Sequence, residues 1–461
     1  MENIYLYNTL SKKKETLSKK SGDTITMYNC GPTVYNFPHI GNLRAYILSD
    51  IIRRTYEING FSVKQVINIT DIGHLQSDGD EGEDKMTKAL EREGKPFTLE
   101  AMREVAEFYA EAFKKDLKDL NIETPEYMPF ASDSIDEYID IIKKIYDSSN
   151  AYTNEDGVYF DTASIESYGK LGGLTPSEQS EERISGANKK NSADFALWKF
   201  SKNDIGYESP WGKGFPGWHI ECSGMIRKFL GETIDIHTGG IDHIPVHHNN
   251  EIAQSETANH KELAHIWVHG AFVTIKDERI AKSLGNIITL EDIKKSGINP
   301  LSYRLWLMSA TYQKEVSFSW EALRSADKAL SRSYEVFDSL REDGEVDEKI
   351  VEKYKKEALS LINDNLDTPS FIALFWEVIR SQEIEDVTKK TLILFFDRVL
   401  GLGFSDRTGE EIPEEINELV RQRIEAREAK DYSKGDEIRD KIESLGYTIK
   451  DTENGTIVKK K

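Results

Sequence analysis

At 461 residues the chain is long enough for about three domains of ordinary size, and its 31% charged and 38% hydrophobic residues describe a soluble globular protein. No apolar run approaches the length needed to span a bilayer. Met1 to Lys20 also lacks the apolar core and small-residue cleavage site of a secretory signal, so the expectations are no membrane partner and a cytoplasmic location. A formal net charge of −21 argues against an indiscriminate polyanion binder, yet it permits selective RNA binding through a local basic surface, with an affinity that falls as salt rises.

Ile25 to Cys30 reads as a strand, followed by a turn at Gly31 and Pro32. A helix is expected from Pro38, with Leu43, Ile47 and Ile51 on one face at spacings of four. A second apolar strand, Val63 to Ile69, follows. Strand, helix and strand at this spacing predict a right-handed parallel crossover in a doubly wound sheet. Ligands bind beyond the carboxyl ends of such strands, where Cys30 and Thr70 fall.

From Tyr127 to Lys190 the character changes. Val158-Tyr159-Phe160 follows the turn pair Asp156-Gly157, as in a hairpin, and Thr175 to Ser192 is polar and loop-like. This stretch reads as an insertion, with the second half of the sheet domain resuming near Phe195. That half carries helices around Cys222 and Glu251 and a strand at Ile234-Asp235-Ile236.

After Trp320, Leu323, Ala326, Leu330, Tyr334, Phe337 and Leu340 recur at helical spacing. Phe371 to Ile379 and Leu392 to Leu400 add two more helices, and a bundle is the simple packing solution. The C-terminal stretch reads as a small separate module. One helix carries Ile416, Leu419, Val420 and Ile424; another carries Ile438, Ile442 and Leu445 and ends at Gly446; a hairpin is expected at Asn454-Gly455. The expected fold is therefore α/β: a Rossmann-like doubly wound parallel sheet with an insertion, then an α-helical bundle and a small α+β module. The boundaries are 1–126 and 191–270 for the two halves of the sheet domain, 127–190 for the insertion, 271–319 for a connecting region, 320–408 for the bundle and 409–461 for the terminal module.

Two short elements suit phosphates. Pro38-His39-Ile40-Gly41-Asn42 stands at a helix start, where free N–H groups and the positive dipole end meet an anion, and Gly41 lets a nucleotide approach the backbone. His39 can donate a hydrogen bond to charge developing on a transferring group, though a histidine there can also simply cap the helix. Arg279-Ile280-Ala281-Lys282-Ser283 places two cations three positions apart before Leu284-Gly285-Asn286. They can clamp a triphosphate and favour the leaving pyrophosphate, or face solvent as a surface loop. Together the two elements resemble the paired HIGH and KMSKS motifs of class I aminoacyl-tRNA synthetases. Asn42 stands for the final His; Arg279, Ile280 and Ala281 replace the first Lys, the Met and the first Ser; Lys282 matches the second Lys.

The chain has only two cysteines, Cys30 and Cys222, too far apart in sequence and in the wrong expected compartment for a structural disulfide. His247 and Glu251 are four apart, which puts imidazole and carboxylate on one helix face. Two thiolates, an imidazole and a carboxylate form a zinc set, with His248 as an alternative ligand; buried core cysteines are the competing reading.

The segments Cys-Gly-Pro-Thr-Val-Tyr from Cys30, Asn-Ile-Thr-Asp from Asn68, Pro-Gly-Trp-His-Ile-Glu-Cys-Ser from Pro216 and Glu-Ile-Ala-Gln-Ser from Glu251 resemble cysteinyl-tRNA synthetases along almost the whole chain. The resemblance implies one Zn²⁺ per chain on Cys30, Cys222, His247 and Glu251. It places Thr70, Trp218 and His237 around cysteine, and Gly239, Gly240 and Asp242 around adenosine. His39, Gly41, Asn42, Arg279, Lys282 and Ser283 would bind ATP with its Mg²⁺, with His39 and Lys282 catalytic. The implied activity is cysteine–tRNA ligation, with L-cysteine, ATP and tRNA-Cys as partners and a monomer expected. Gly455-Thr456-Ile457-Val458-Lys459 departs from the family, which often has a Trp in this segment for base stacking. Rival readings are an ATP-dependent ligase joining cysteine to a small amine and a non-catalytic tRNA-binding or cysteine-sensing relative.

Overall fold

β1 (Thr24–Asn29), α1 (Ile40–Ile58) and β2 (Ser62–Ile67) build the expected strand–helix–strand unit, with Thr24 opposite Ser62 and Asn29 opposite Ile67 in a parallel pair. α1 starts two residues after Pro38 because His39 closes it. His39 Nδ1 accepts from the Asn42 N–H at 3.3 Å while Asn42 Oδ1 accepts from the His39 N–H at 3.2 Å, a reciprocal cap. Leu43, Ile47 and Ile51 are buried, as their spacing requires.

The computed structural model describes residues 3–72, 85–172, 189–201, 204–275, 278–279, 287–407, 413–428, 431–452 and 455–460. They form two compact units, Met1–Asp327 with Ala358–Ile372, and Lys328–Glu357 with Ala373–Lys461. Among the described residues no helix is long and apolar enough to cross a membrane.

In the first unit the chain continues through α2 (Leu99–Asp119), α3 (Trp218–Phe229), β3 (Ile234–Gly240), α4 (His247–Asn259) and β4 (Ala264–Gly270). The four strands form one all-parallel sheet in the order β4-β3-β1-β2. From β1 the chain moves outward to β2, and from β3 it moves outward the other way to β4. The winding therefore reverses between β1 and β3, the point where a doubly wound sheet opens a crevice beyond its carboxyl ends. The α/β expectation holds.

The insertion makes its own antiparallel sheet from Ala151–Thr153, Gly157–Phe160, Phe195–Phe200 and Gly214–Pro216. Its hairpin is closed by Asn154, whose Oδ1 accepts from the N–H groups of Asp156 and Gly157. Gly157 is required there, since a Cβ would lie 2.1 Å from the Trp198 carbonyl oxygen. The strand beginning at Phe195 pairs with this hairpin, and the parallel sheet resumes only at β3. Most of the polar loop 175–192 lies outside the described residues.

Behind the sheet, Arg304 and Asp50 are fully buried and joined at 2.5 Å. Asp50 also receives Arg54 at 2.8 Å and the Glu123 N–H at 2.8 Å, so the buried charge is paired and hydrogen-bonded.

In the second unit Phe404 is ringed by Tyr334, Phe337 and Phe375 at centroid distances of 5.1, 5.3 and 5.7 Å. The terminal module packs Glu414–Glu428 and Tyr432–Ser444 with an antiparallel hairpin, Tyr447–Thr452 and Gly455–Lys460, over Ile416, Leu419, Ile438, Ile442 and Ile449. Gly446 ends the second helix at φ +88°, a conformation that favours glycine. Ile424 and Leu445, read as apolar-face residues, are exposed, because the module is too small to cover every face of its helices. Asn454 lies outside the described residues.

Candidate metal centre and active site

Cys30 leaves the end of β1 into a turn that only glycine permits. A Cβ on Gly31 would sit 1.6 Å from the Asn68 carbonyl oxygen, and the Gly31 N–H donates to Asn68 Oδ1 at 2.7 Å. The ends of β1 and β2 are thereby tied together. Cys222 lies on α3, and His247 and Glu251 lie one turn apart on α4, whose residues His247 to Ser255 are all buried. His237 projects from β3 and stacks on Trp267 at 4.4 Å.

One donor atom each from Cys30, Cys222, His247 and Glu251 lies within 4.8 Å of all the others. Cys30 Sγ is 3.6 Å from Glu251 Oε1, and Cys222 Sγ is 3.6 Å from His247 Nε2. Tetrahedral zinc separates neighbouring sulfur, nitrogen and oxygen ligands by roughly 3.3–3.8 Å, so both edges fit. His247 Nε2 and Glu251 Oε1 stand closer, at 2.8 Å, an edge that would have to open around a shared ion.

In a second set, Cys30, His237, His248 and Glu251, one donor atom from each likewise lies within 4.8 Å of all the others. The first set is the better cation site because it uses both thiols. In it, His237 is free to hold the outer carboxylate oxygen, Glu251 Oε2, at 2.7 Å, the supporting contact that orients a ligating carboxylate. His248 Nε2 lies 3.2 Å from Cys30 Sγ, and its Nδ1 faces His269 Nε2 at 2.7 Å.

The charges match a cation site. Burial opposes ionisation of Glu251, but His237 and His247 outweigh it and hold the carboxyl well below its usual range. Burial alone would lower His247; Glu251 and Cys222 instead push it up to about 10. Burial pushes the Cys30 thiol up, while a hydrogen bond from Cys30 favours the Cys222 thiolate. His248 and His269 are driven well down by burial and stay neutral. Metal binding would release the protons that these shifts favour on Cys30 and His247.

The remaining expected residues surround this centre or fall away from it. Thr70 is buried and donates to Glu221 Oε2 at 3.2 Å. Trp218 is half-buried, its ring 4.6 Å from His247. Gly239 and Gly240 close β3; a Cβ on Gly239 would lie 2.7 Å from His243 Nδ1, and one on Gly240 would lie 2.2 Å from Asp242 Oδ1. Asp242 is exposed in the turn Ile241–His243. His39, Gly41 and Asn42 sit at the start of α1. Because His39 Nδ1 accepts from the Asn42 N–H, a neutral His39 ring carries its proton on Nε2.

Arg279 pairs its backbone with Thr274 in a short hairpin. Lys282 and Ser283 lie outside the described residues. Just past them, Ile288 O accepts from the Ile40 N–H at 2.8 Å, and Thr289 bridges to His39.

Sequence reasoning did not single out Glu221, His219 or His269. Glu221 is fully buried directly before Cys222, and that position next to a ligand was the available signal. His219 Nδ1 lies 2.8 Å from His247 Nδ1. His269 reaches the centre through β4, and no local pattern announces it.

Two solved structures share the fold. The chain aligns with Mycobacterium tuberculosis methionyl-tRNA synthetase in complex with methionyl-adenylate at TM-score 0.56 and 14% identity, covering 82% of this chain and 90% of the other. It aligns with the LeuRS–tRNA–LeuAMS ternary complex of Agrobacterium radiobacter K84 at TM-score 0.59 and 9% identity, covering 84% of each. The family model for the tRNA synthetases class I (C) catalytic domain matches residues 16–328. Fold and site together define a class I aminoacyl-tRNA synthetase.

Residues 409–458 match the cysteinyl-tRNA ligase anticodon binding domain. Cysteine–tRNA ligase 1 of Burkholderia lata is 40% identical over 460 residues, covering 98% of this chain and 96% of the relative. The cysteine–tRNA ligase of Treponema denticola is 37% identical over 495 residues, covering 99% of each. The chain belongs to the cysteinyl-tRNA synthetase family.

Proposed function

We propose that this chain activates L-cysteine with ATP, releasing pyrophosphate, and transfers cysteine from cysteinyl-AMP to the 3′ end of tRNA-Cys. The observation that carries this reading is the convergence of Cys30, Cys222, His247 and Glu251 beyond the β1/β3 switch point. Those four residues would hold Zn²⁺, which when bound supplies a soft acceptor that prefers sulfur to oxygen. Cysteine and serine differ only in that atom, and pocket shape alone separates such pairs poorly. Thr70, Trp218 and His237 line the amino-acid pocket; Gly239, Gly240 and Asp242 face adenosine.

The substrate carboxylate is already a nucleophile, so the chain's task is to position it and stabilise charge. His39 donates from Nε2 toward the transferring phosphate at the start of α1, with Gly41 and Asn42 beside it. Arg279, Lys282 and Ser283 meet the β- and γ-phosphates, with Mg²⁺ on the nucleotide. Residues 1–126 and 218–270 serve as the catalytic fold, with the insertion extended from 127–190 to 127–217 because its antiparallel sheet takes in Phe195–Phe200 and Gly214–Pro216; 271–319 serves as the loop and stem-contact region, 320–408 as a tRNA-binding bundle and 409–461 as the anticodon module. The match of the last of these to an anticodon-binding domain supports tRNA over a small amine as acceptor. A monomer working in the cytoplasm completes the reading.

The test is cysteine-dependent pyrophosphate exchange followed by charging of tRNA-Cys, with serine as control and metal analysis of the purified chain. Exchange without charging would overturn the acceptor, and equal exchange with serine would overturn the zinc selection.

A further inference from the structure

Three buried side chains form a directed relay beside the metal donors. It starts one residue after Cys30 and ends one residue before Cys222. The Gly31 N–H can only donate, and it donates to Asn68 Oδ1 at 2.7 Å. That contact fixes the Asn68 amide, so its Nδ2 must point at Thr70 Oγ1, 3.1 Å away. Thr70 therefore accepts from Asn68, and its single hydroxyl proton goes to Glu221 Oε2 at 3.2 Å. The Thr70 backbone is also committed, its N–H donating to Pro32 O and its carbonyl accepting from Val34. What the Thr70 side chain retains is one lone pair, backed by a buried carboxylate. It can receive a donor and has no proton left to offer an acceptor.

We propose that Glu221, acting through Thr70, is the positioning residue that selects the α-ammonium group of the amino acid. This rests on the reading of the site as a cysteine pocket. Of the groups on cysteine, the carboxylate only accepts, and the sulfur would go to the ion that Cys30, Cys222, His247 and Glu251 would hold; the ammonium is the strong donor and the cation. A hydroxyl locked as an acceptor in front of a carboxylate matches that group alone. Asn68 is the second positioning residue, because without it the Thr70 hydroxyl could rotate and donate. The ligand class is thus an α-amino thiol, and a thiol acid of the same length without the amine gains nothing from the relay.

The experiment is calorimetric binding of L-cysteine and of 3-mercaptopropionate to the zinc-loaded full chain, for wild type, Glu221→Gln, Thr70→Val and Thr70→Ser. The expected result is that Glu221→Gln and Thr70→Val weaken cysteine by about tenfold or more, as for loss of a hydrogen bond to a charged group. Binding of 3-mercaptopropionate stays within about twofold, and Thr70→Ser retains cysteine affinity because its hydroxyl can take the same two partners. Equal weakening of both thiols by Glu221→Gln and Thr70→Val would mean a merely structural role and overturn the proposal; so would undiminished cysteine binding. If Glu221→Gln fails to fold, the Thr70 pair decides on the same ratio. Wild type binding neither thiol would instead overturn the cysteine reading itself, and this assignment with it.

Discussion

The Ile40 N–H donates to the Ile288 carbonyl oxygen at 2.8 Å, joining the first turn of α1 to the chain just beyond Lys282 and Ser283. His39 and Thr289 bridge beside it. The two motifs that flank the proposed triphosphate site, about 240 residues apart in sequence, are thus held together by backbone, whatever the side chains between them do.

With its flank fixed in this way, Lys282 can be tested as a charge rather than as a structural residue. Lys282→Ala is expected to slow adenylate formation by about 10²-fold or more while leaving cysteine affinity within about threefold. Single-turnover activation together with equilibrium cysteine binding reads this out. A proportional loss in both would remove Lys282 from its role.

His39 caps α1 through Nδ1 and is proposed to act through Nε2, so the two duties separate. Asn is a good N-cap but does not present an imidazole N–H. His39→Asn is expected to keep thermal stability while activation falls by about 10²-fold. His39→Ala should lose the activity and about 1 kcal/mol of stability as well. If the Asn variant were fully active, the cap would be the residue's whole purpose.

Metal removal gives an independent handle. One zinc per chain is expected in the purified protein, and a Cys222→Ser variant should hold clearly less. Stripping the ion should abolish measurable cysteine binding while ATP binding survives, because the proposed nucleotide contacts, at the start of α1, the end of β3 and Arg279, Lys282 and Ser283, include none of the four proposed metal ligands. Elemental analysis combined with calorimetry checks both statements, and undiminished cysteine affinity in the stripped chain would refute the thiol-selection role.

Two buried or half-buried acids set opposite pH trends. For Asp50, burial alone would raise the carboxyl, but Arg304 and Arg54 outweigh it and lower it. Its contribution is present above the unfolded value of about 4 and is lost as the pH falls below it. Arg304→Met leaves Asp50 with too few partners and is expected to destabilise the first unit by about 3–5 kcal/mol at neutral pH. Denaturant unfolding of the two variants Arg304→Met and Asp50→Asn measures this, and a loss under 1 kcal/mol for Arg304→Met would contradict it.

Asp116 on α2 behaves the other way. Burial first, and then Asp119, push its carboxyl up to about 7. A folded value above the unfolded one means that the folded chain holds the extra proton, so this group's stability contribution falls as pH rises from about 4 to about 7. Asp116→Asn is expected to be more stable than wild type by about 1–2 kcal/mol above pH 7, allowing for solvent screening, and equal to it near pH 4. Unfolding midpoints across that range check the sign; parallel curves would exclude it.

Much of this was readable from residues alone. Cys30 after an apolar strand, the four-residue step from His247 to Glu251, and the glycine-bearing start of α1 each carry their geometry in local spacing, and the family resemblance joined them. Other features depend on tertiary pairing. Phe195-Ala196-Leu197-Trp198 is as apolar as a parallel core strand, and nothing in it states that its partner is the insertion hairpin. Asn68 and Glu221 look like ordinary motif members until the Gly31 N–H orients one and Thr70 reaches the other. His269 meets His248 only because β4 lies beside β3.

The thiols, imidazole and carboxylate of the metal centre come from three separate stretches of chain, the turn after β1, α3 and α4. A growing polypeptide carries Cys30 out of the ribosome 192 residues before Cys222 and 221 residues before Glu251, so the proposed donor set is complete only once α4 has been made. Loading of an ion by this proposed set would therefore be a late event in biogenesis, and a nascent product ending before α4 would lack two of the four donors, His247 and Glu251.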